Sequence, residues 1–254
     1  AHCVSQWGHD FRPSYLRIKE FIDSFEKRPT VSAFTATATD DVKQDIRKLL
    51  GLQEPFTITT GFDRPNLSFT VIRPERKERQ LLDLVSDRKD SSGIIYCSKR
   101  STVEDICALL CSKGYEATRY HAGLDEEERR SNQDDFIFDR KSIMVATNAF
   151  GMGIDKSNVS YVIHYNIPKN IESYYQEAGR AGRDGTEADC ILLYSPGDVR
   201  TIQYFIEHGN DNEELGEETR EKIKEKDSER LKQMVFYATT NDCLRAFILD
   251  RKST

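Results

Sequence analysis

Ten residues, Gln176–Gly185 with the sequence QEAGRAGRDG, carry the chemistry that is easiest to read in this chain. Placed on a helix, Gln176, Arg180 and Arg183 fall at i, i+4 and i+7, which puts one amide and two guanidinium groups on a single face. A guanidinium is always charged and meets phosphate oxygens with two parallel N–H bonds. Gly179 and Gly182 interrupt the stretch, each at a cost of about 1 kcal/mol relative to Ala inside a helix. A short, cationic, glycine-punctuated face of this kind suits close approach to an anion. The plainer alternative is a glycine-rich helix end whose arginines make surface salt bridges.

Two further constellations point the same way. An apolar run, residues 143–147, is followed by Asn148-Ala149-Phe150-Gly151-Met152-Gly153-Ile154-Asp155-Lys156. Glycine removes the side chain where backbone must come near a ligand. In this loop Gly153 provides that approach, Asp155 can accept from sugar hydroxyls, and Thr147 can donate to a phosphate. Gly-x-Gly loops are also common turns; the weight comes from the arginine stretch about 25 residues later. Near the start, Gln6-Trp7-Gly8-His9-Asp10-Phe11-Arg12-Pro13-Ser14-Tyr15 is dense in aromatics and has no periodicity. Aromatics interleaved with a cation can stack bases and hold a phosphate; packing of Trp7 and Phe11 into a core is the alternative.

The elements that must position these groups are legible from hydrophobic patterning. Short apolar runs at 31–34, 93–97, 143–147, 161–165 and 190–194 read as buried strands, and 101–113, 125–138 and 171–181 as helices. Strand alternating with helix predicts an α/β fold with a mainly parallel sheet. Ligands of such sheets bind beyond the carboxyl ends of the strands. Val103, Ile106, Cys107, Leu110 and Cys111 follow the stripe of a buried helical face, so both thiols are expected in the core. The six cysteines form no C-x-x-C pair and fit a reducing compartment better than a disulfide scaffold. Residues 59–66 lack periodicity and read as an inter-domain linker. Residues 207–230 carry ten acidic and five basic side chains and read as a solvated helix or a loosely ordered connector.

The 254 residues suffice for one large or two small domains. Net charge is −6, so any nucleic-acid binding must come from local patches. No apolar run approaches the roughly 20 residues of a membrane span, and the N-terminus has no basic stretch followed by an apolar one. A secreted or membrane protein is therefore not expected. The chain does not begin with Met, which is read as the mark of a fragment.

In order along the chain, these segments resemble the motifs of superfamily 2 helicases. Ala1-His2 resembles the tail of the D-E-A-H box, and Ser32-Ala33-Phe34-Thr35-Ala36-Thr37-Ala38-Thr39 resembles motif III. Residues 93–100 resemble motif IV, 144–156 motif V and 173–185 motif VI. The loop Ser5-Gln6-Trp7-Gly8-His9-Asp10-Phe11-Arg12 resembles one particular to the RecQ family of DNA helicases, and the chain is identified as a member of that family.

The resemblance implies an ATP-dependent motor with two RecA-like domains, translocating 3′ to 5′ on single-stranded DNA and unwinding duplex DNA in replication, recombination or repair. Residues 1–61 would be the end of the first RecA-like domain, 62–198 the second (the helicase C-terminal domain), and 199–254 the helical start of a RecQ zinc-binding subdomain. Gln176, Arg180 and Arg183 match the motif VI residues that reach ATP, with Arg183 as the arginine finger; such a finger is worth roughly 10³–10⁵ in rate. Gly153 and Asp155 match motif V, which links nucleotide to DNA. Trp7, Phe11 and Arg12 match the loop that senses single-stranded DNA. Lys99, Arg100, His121 and Thr147 fall on DNA-contacting elements, and His2 matches the D-E-A-H histidine that couples to motif III. A nuclear location would follow for a eukaryotic source, a cytoplasmic or nucleoid one for a bacterial source.

Four departures qualify the resemblance. The Asp and Glu of the D-E-A-H box precede Ala1, so the Mg²⁺ ligand is not in the chain. No G-x-x-x-x-G-K-[ST] occurs to cradle phosphates. Cys243 matches the first zinc cysteine, but the chain ends before three partners, so Zn²⁺ is a candidate cofactor of the longer protein and not of these residues. Lys99 stands where the family has a hydroxyl residue before Arg100. The 254 residues alone are therefore expected to be inactive as an ATPase. Two alternatives remain: a non-catalytic module that binds nucleic acid or a protein partner, and an RNA helicase of the wider superfamily.

Overall fold

A run such as Gly93-Ile94-Ile95-Tyr96 has no polar alternation, so a strand built from it must be covered on both faces. The structure, a computed structural model, describes residues 1–5, 13–35, 38, 40–58, 63–151, 156–208 and 217–253. The run lies in β2 (Ser92–Tyr96), buried at every position. Five more strands join it: β1 (Leu67–Ile72), β3 (Ala117–Tyr120), β4 (Ile143–Ala146), β5 (Val159–His164) and β6 (Ala188–Leu193). All pair in parallel in the order β1-β6-β5-β2-β4-β3.

The helices cover both faces of this sheet. Between the strands lie α3 (Lys77–Ser86), α4 (Arg100–Ser112), α5 (Glu126–Ile137) and α6 (Ile171–Ala178). Strand residues alternate between faces. Ile95, Val145 and Ile163 therefore pack with Leu81 and Val85 of α3 and Val103 and Leu110 of α4. Their neighbours Ile94, Met144 and Val162 pack with Phe136 of α5, Ala178 of α6, and Phe150. The sheet continues into α7 (Pro196–His208), α8 (Glu217–Thr239) and α9 (Leu244–Ser253).

The chain divides into two compact units, residues 1–63 with 245–254, and residues 64–244. The first contains α1 (Ile18–Asp23) and α2 (Asp40–Leu49), with Val4, Val42, Ile46 and Leu50 as a small core. The second contains the sheet and also α7 and α8. Tyr237 of α8 is buried, its ring 5.2 Å from that of Tyr174 on α6. Arg73, just after β1, donates to the carbonyls of Ala238 and Thr239 at 3.3 and 3.0 Å. A cation there satisfies carbonyls that the end of α8 leaves without helical partners.

Several sequence expectations need correction. Residues 31–35 form no strand, and Phe34 is 84 % exposed; the described part of the first unit offers no neighbouring strand to complete a ladder. β1 and β3 are strands that the apolar-run criterion missed, because Leu67–Ile72 and Ala117–Tyr120 are interrupted by Ser, Thr and Arg. Cys107 is buried as expected, but Cys111 is exposed and donates weakly to the Ala117 carbonyl. α6 ends at Ala178, not at residue 181. Gly179 caps it, and Gly182 and Gly185 follow with φ of +56° and +87°, values that stop a right-handed helix. Gln176, Arg180 and Arg183 thus do not share one helical face: Gln176 is in α6 and both arginines are in the turn beyond it.

Candidate functional site

In a parallel sheet every strand delivers its following residue to the same edge. Register places Tyr120, Ala146, Tyr96 and His164 abreast at the ends of β3, β4, β2 and β5. The next residues therefore line that edge together: His121–Gly123 after β3, Thr147 after β4, and Lys99 and Arg100 after β2. Lys99 and Arg100 are exposed at the start of α4, where backbone N–H groups and the helix dipole favour an anion. A Cβ on Gly123 would lie 3.1 Å from Cδ of Arg100, so the arginine stem runs against the 121–123 turn.

The His121 ring faces inward. Its Nδ1 accepts from the Gly123 N–H at 3.1 Å, and Nε2 lies 2.8 Å from Glu104 Oε1. With both nitrogens engaged and the residue buried, what this element offers a phosphate is main chain and not the imidazole. Thr147 is nearly buried too, its hydroxyl accepting from Ala149 N–H at 3.4 Å.

The turn after α6 is tied to the opposite ends of the strands. Gly182 N–H donates to the carbonyl of Val159, the first residue of β5, at 2.8 Å. Arg64 and Asn66, just before β1, donate to carbonyls of the same turn. Arg183 is exposed there. The Arg180 side chain instead turns back over the sheet, where Nη1 donates to the Gly151 carbonyl at 2.5 Å. A Cβ on Gly151, which has φ +153°, would stand 2.0 Å from Nη2 of Arg180. The structure therefore separates two groups of candidate residues: Lys99, Arg100, 121–123 and Thr147 at one edge, and the Arg180–Arg183 turn by the strand starts. The loop from Thr147 to β5 runs from one to the other. Gly153 and Asp155, on that loop, lie outside the described residues, as do Trp7, Phe11 and Arg12.

Beneath α6 lies a buried polar group that the sequence reading did not single out. His164 closes β5 and bonds through Nε2 to Oε2 of Glu177 at 2.8 Å. Its ring is stacked on Tyr96 at 5.4 Å and tilted against Tyr174 at 4.8 Å. The Tyr96 hydroxyl donates to the Phe150 carbonyl at 3.1 Å. Burial pushes that hydroxyl well above the ordinary tyrosine range, against the opposing pull of the nearby Arg180 guanidinium. The available signal was a lone polar residue within the otherwise apolar run 161–165.

A second network follows β2 and β5. Asp198, at the start of α7, accepts from Lys77 Nζ at 2.5 Å and from Asn166 Nδ2 at 3.1 Å. Asn166 Oδ1 in turn accepts from Ser98 N–H at 3.1 Å, beside Lys99. In the first unit, His2 Nδ1 lies 2.9 Å from Thr35 Oγ1, and Ser5 Oγ donates to Asp45 Oδ2 at 2.6 Å.

No group of three His, Cys, Asp or Glu residues arranged to hold a metal occurs among the described residues. Cys243 is an exposed single thiol, so the donors described do not fit a zinc ion. For a nucleotide, the described residues fit a contribution to a phosphate and not a whole cradle.

Comparison with known proteins bears on the whole chain. Residues 76–185 match the helicase conserved C-terminal domain, and residues 196–251 match the RecQ zinc-binding family. The ATP-dependent DNA helicase RecQ of Bacillus subtilis (strain 168) is 45 % identical over 249 residues, covering 98 % of this chain and 41 % of that protein. The ATP-dependent DNA helicase RecQ of Pasteurella multocida (strain Pm70) is 46 % identical over 206 residues, 81 % of this chain and 32 % of that protein. The chain thus spans well under half the length of these relatives. Among solved structures, Saccharomyces cerevisiae Dbp5 bound to RNA and ADP BeF3 superposes with a TM-score of 0.61 at 23 % identity, over 83 % of this chain and 57 % of that one. That likeness concerns the α/β RecA-like fold alone.

Proposed function

The chain belongs to the RecQ family of superfamily 2 helicases, and from that premise we propose that it is part of an ATP-dependent 3′–5′ DNA helicase, in which it supplies the motif VI side of the nucleotide site and one wall of the DNA track. Within that reading, residues 1–61 end a first RecA-like domain, 62–198 form the second, and 199–254 begin the zinc-binding subdomain.

The observation that carries the proposal is the different fate of the two motif VI arginines. Arg180 is partly buried and donates to the Gly151 carbonyl, and Arg183 is exposed to solvent on a turn fixed at several points. A group that neutralises charge developing on a γ-phosphate must be presented outward and held still. Arg183 is accordingly assigned as the finger, Arg180 as the link to the loop after β4, and Gln176 as a further nucleotide contact. ATP would arrive with Mg²⁺, whose ligands belong to the D-E-A-H carboxylates and not to the residues described above. Gly153 and Asp155 are assigned to the passage between nucleotide and DNA.

The row Lys99, Arg100, 121–123 and Thr147 is assigned to the DNA backbone. Trp7, Phe11 and Arg12 are assigned to sensing single-stranded DNA, and the His2–Thr35 bond to coupling between the D-E-A-H box and motif III. In the intact gene product, Arg183→Ala is expected to abolish ATP hydrolysis while ATP and DNA binding persist; near-normal turnover would remove Arg183 from its role. Stronger stimulation of the ATPase by RNA than by single-stranded DNA would move the assignment to an RNA helicase.

A further inference from the structure

The turn that carries Arg180 and Arg183 is held by a few short-range bonds of its own, among them Ala181 N–H to the Ala178 carbonyl at 3.0 Å and Gly185 N–H to the Gly182 carbonyl at 3.1 Å. α6 has ended, and Gly182 and Gly185 hold left-handed backbone. Carbonyls at a helix end and in such a turn lack helical partners. Three of them, those of Gly179, Ala181 and Gly182, converge on one guanidinium. Arg64 Nη1 donates to the first at 3.3 Å, and Nη2 donates to the second and third at 3.0 and 2.6 Å. Two residues on, Asn66 Nδ2 donates to the Gly182 carbonyl at 2.9 Å and to the Thr186 carbonyl at 2.7 Å. A Cβ on Gly182 would fall 2.5 Å from that amide nitrogen and 2.6 Å from the Thr186 oxygen, so the clamp requires glycine there.

Arg64 and Asn66 are themselves anchored. Ala188 N–H at the start of β6 donates to the Asn66 carbonyl at 2.9 Å, and Leu67 N–H to the Arg64 carbonyl at 3.0 Å. Both lie more than 110 residues before the turn and outside the segment that matches the helicase C-terminal domain.

We propose that Arg64 and Asn66 are positioning residues for ATP hydrolysis, fixing the turn 179–186 so that Arg183 meets the transferring phosphate. The proposal rests on the assignment of Arg183 to that phosphate. Two donor side chains grip four carbonyls of the turn between them, and misplacing a catalytic group by about 1 Å can cost on the order of 10²-fold in rate. A lysine at 64 would place one compact ammonium where a planar fork now reaches three carbonyls.

The test uses the intact gene product with Arg64→Lys, Asn66→Asp and, as reference, Arg183→Ala. Asn66→Asp keeps the shape but turns a donor into a carboxylate facing two carbonyls. Each clamp variant is expected to lower kcat for DNA-stimulated ATP hydrolysis about tenfold to a hundredfold, with KM for ATP held within about threefold. Affinity for ADP with aluminium fluoride, a mimic of the transferring phosphate, should fall with kcat while affinity for ADP alone is retained. Assays run well below each variant's melting midpoint separate positioning from unfolding. Should Asn66→Asp fail to fold, Arg64→Lys carries the test. Turnover within about twofold of wild type in the clamp variants, while Arg183→Ala is inactive, would overturn the clamp alone. A loss of activity that merely follows the unfolded fraction would overturn it as well. Normal turnover in Arg183→Ala would instead remove the reading on which the clamp rests.

Discussion

Arg180 and Gly151 occupy one another's space: Nη1 donates to the Gly151 carbonyl at 2.5 Å, and a Cβ on that glycine would lie 2.0 Å from Nη2. The contact joins the loop after β4 to the turn after α6, so it links the two edges where the candidate residues gather. Gly151→Ala must expel the guanidinium or move the loop. It is expected to cost about 1–3 kcal/mol of stability, from the clash and from φ of +153°. In the intact gene product it should also uncouple the ATPase from DNA. The check is ATP hydrolysis with and without single-stranded DNA; an undiminished ratio would show that Arg180 finds another path.

Arg100 and Lys99 provide a test of the opposite edge. Both are exposed, and the Arg100 stem runs against the Gly123 turn. If Arg100 holds one backbone phosphate, Arg100→Ala should weaken single-strand binding without regard to sequence and flatten the salt dependence of log K by about 0.7. Lys99→Ala should act in the same direction. Titrations at several salt concentrations decide it, and an unchanged slope would place neither residue on a phosphate.

How far this was legible from sequence depends on the range of the interactions. The α/β class, four of the six strands, and α4 and α5 follow from local patterning, because apolar runs and helical stripes are near-neighbour properties. The extent of α6 did not, since the i, i+4, i+7 spacing of Gln176, Arg180 and Arg183 mimics a helical face while the glycines end the helix. Placement of that turn by the strand starts, away from the carboxyl-end edge favoured by the general rule for parallel sheets, involves long-range bonds: Gly182 N–H to Val159, and Arg64 and Asn66 to the turn carbonyls. Arg64 and Asn66 lie in a stretch that reads as linker; no local pattern announces a bond to carbonyls more than 110 residues away. His164 was hidden likewise, as a lone polar residue inside the apolar run 161–165.

His164 permits a clean separation of packing from hydrogen bonding. Its ring lies between Tyr96 and Tyr174, and its Nε2 holds Glu177, whose side chain is only 12 % exposed. His164→Phe preserves the ring contacts and leaves the carboxylate without that donor. The expected loss is about 1–3 kcal/mol, the cost of a nearly buried polar group left unsatisfied. Adding Glu177→Leu should return part of it, because removing both partners is cheaper than removing one. Denaturant unfolding of the two single variants and the double variant gives the coupling directly; additive losses would show that the pair contributes nothing.

Lys156 and Asp139 give the pH dependence its sign. The lysine side chain is 2 % exposed, with Nζ 2.6 Å from Asp139 Oδ1 and 5.0 Å from the centre of the Phe136 ring. The hydrogen bond from Lys156 holds the Asp139 carboxyl below its ordinary value of 3.8. A carboxylate whose pKa is lower folded than unfolded adds stability above the unfolded value, and loses it as pH falls through the folded one. The contribution is therefore complete at neutral pH and drains away below pH 3.8. Asp139→Asn tests this without disturbing the backbone, because asparagine also tolerates the φ of +57° found there. At neutral pH it should cost about 1–2 kcal/mol, toward the lower end for a charged hydrogen bond because Asp139 itself is largely exposed. The difference between the two proteins should shrink as pH is lowered below 3.8, where the wild-type carboxylate takes up its proton. Unfolding free energies measured across that range check both the size and the sign, and a difference that grew on acidification would refute the pairing.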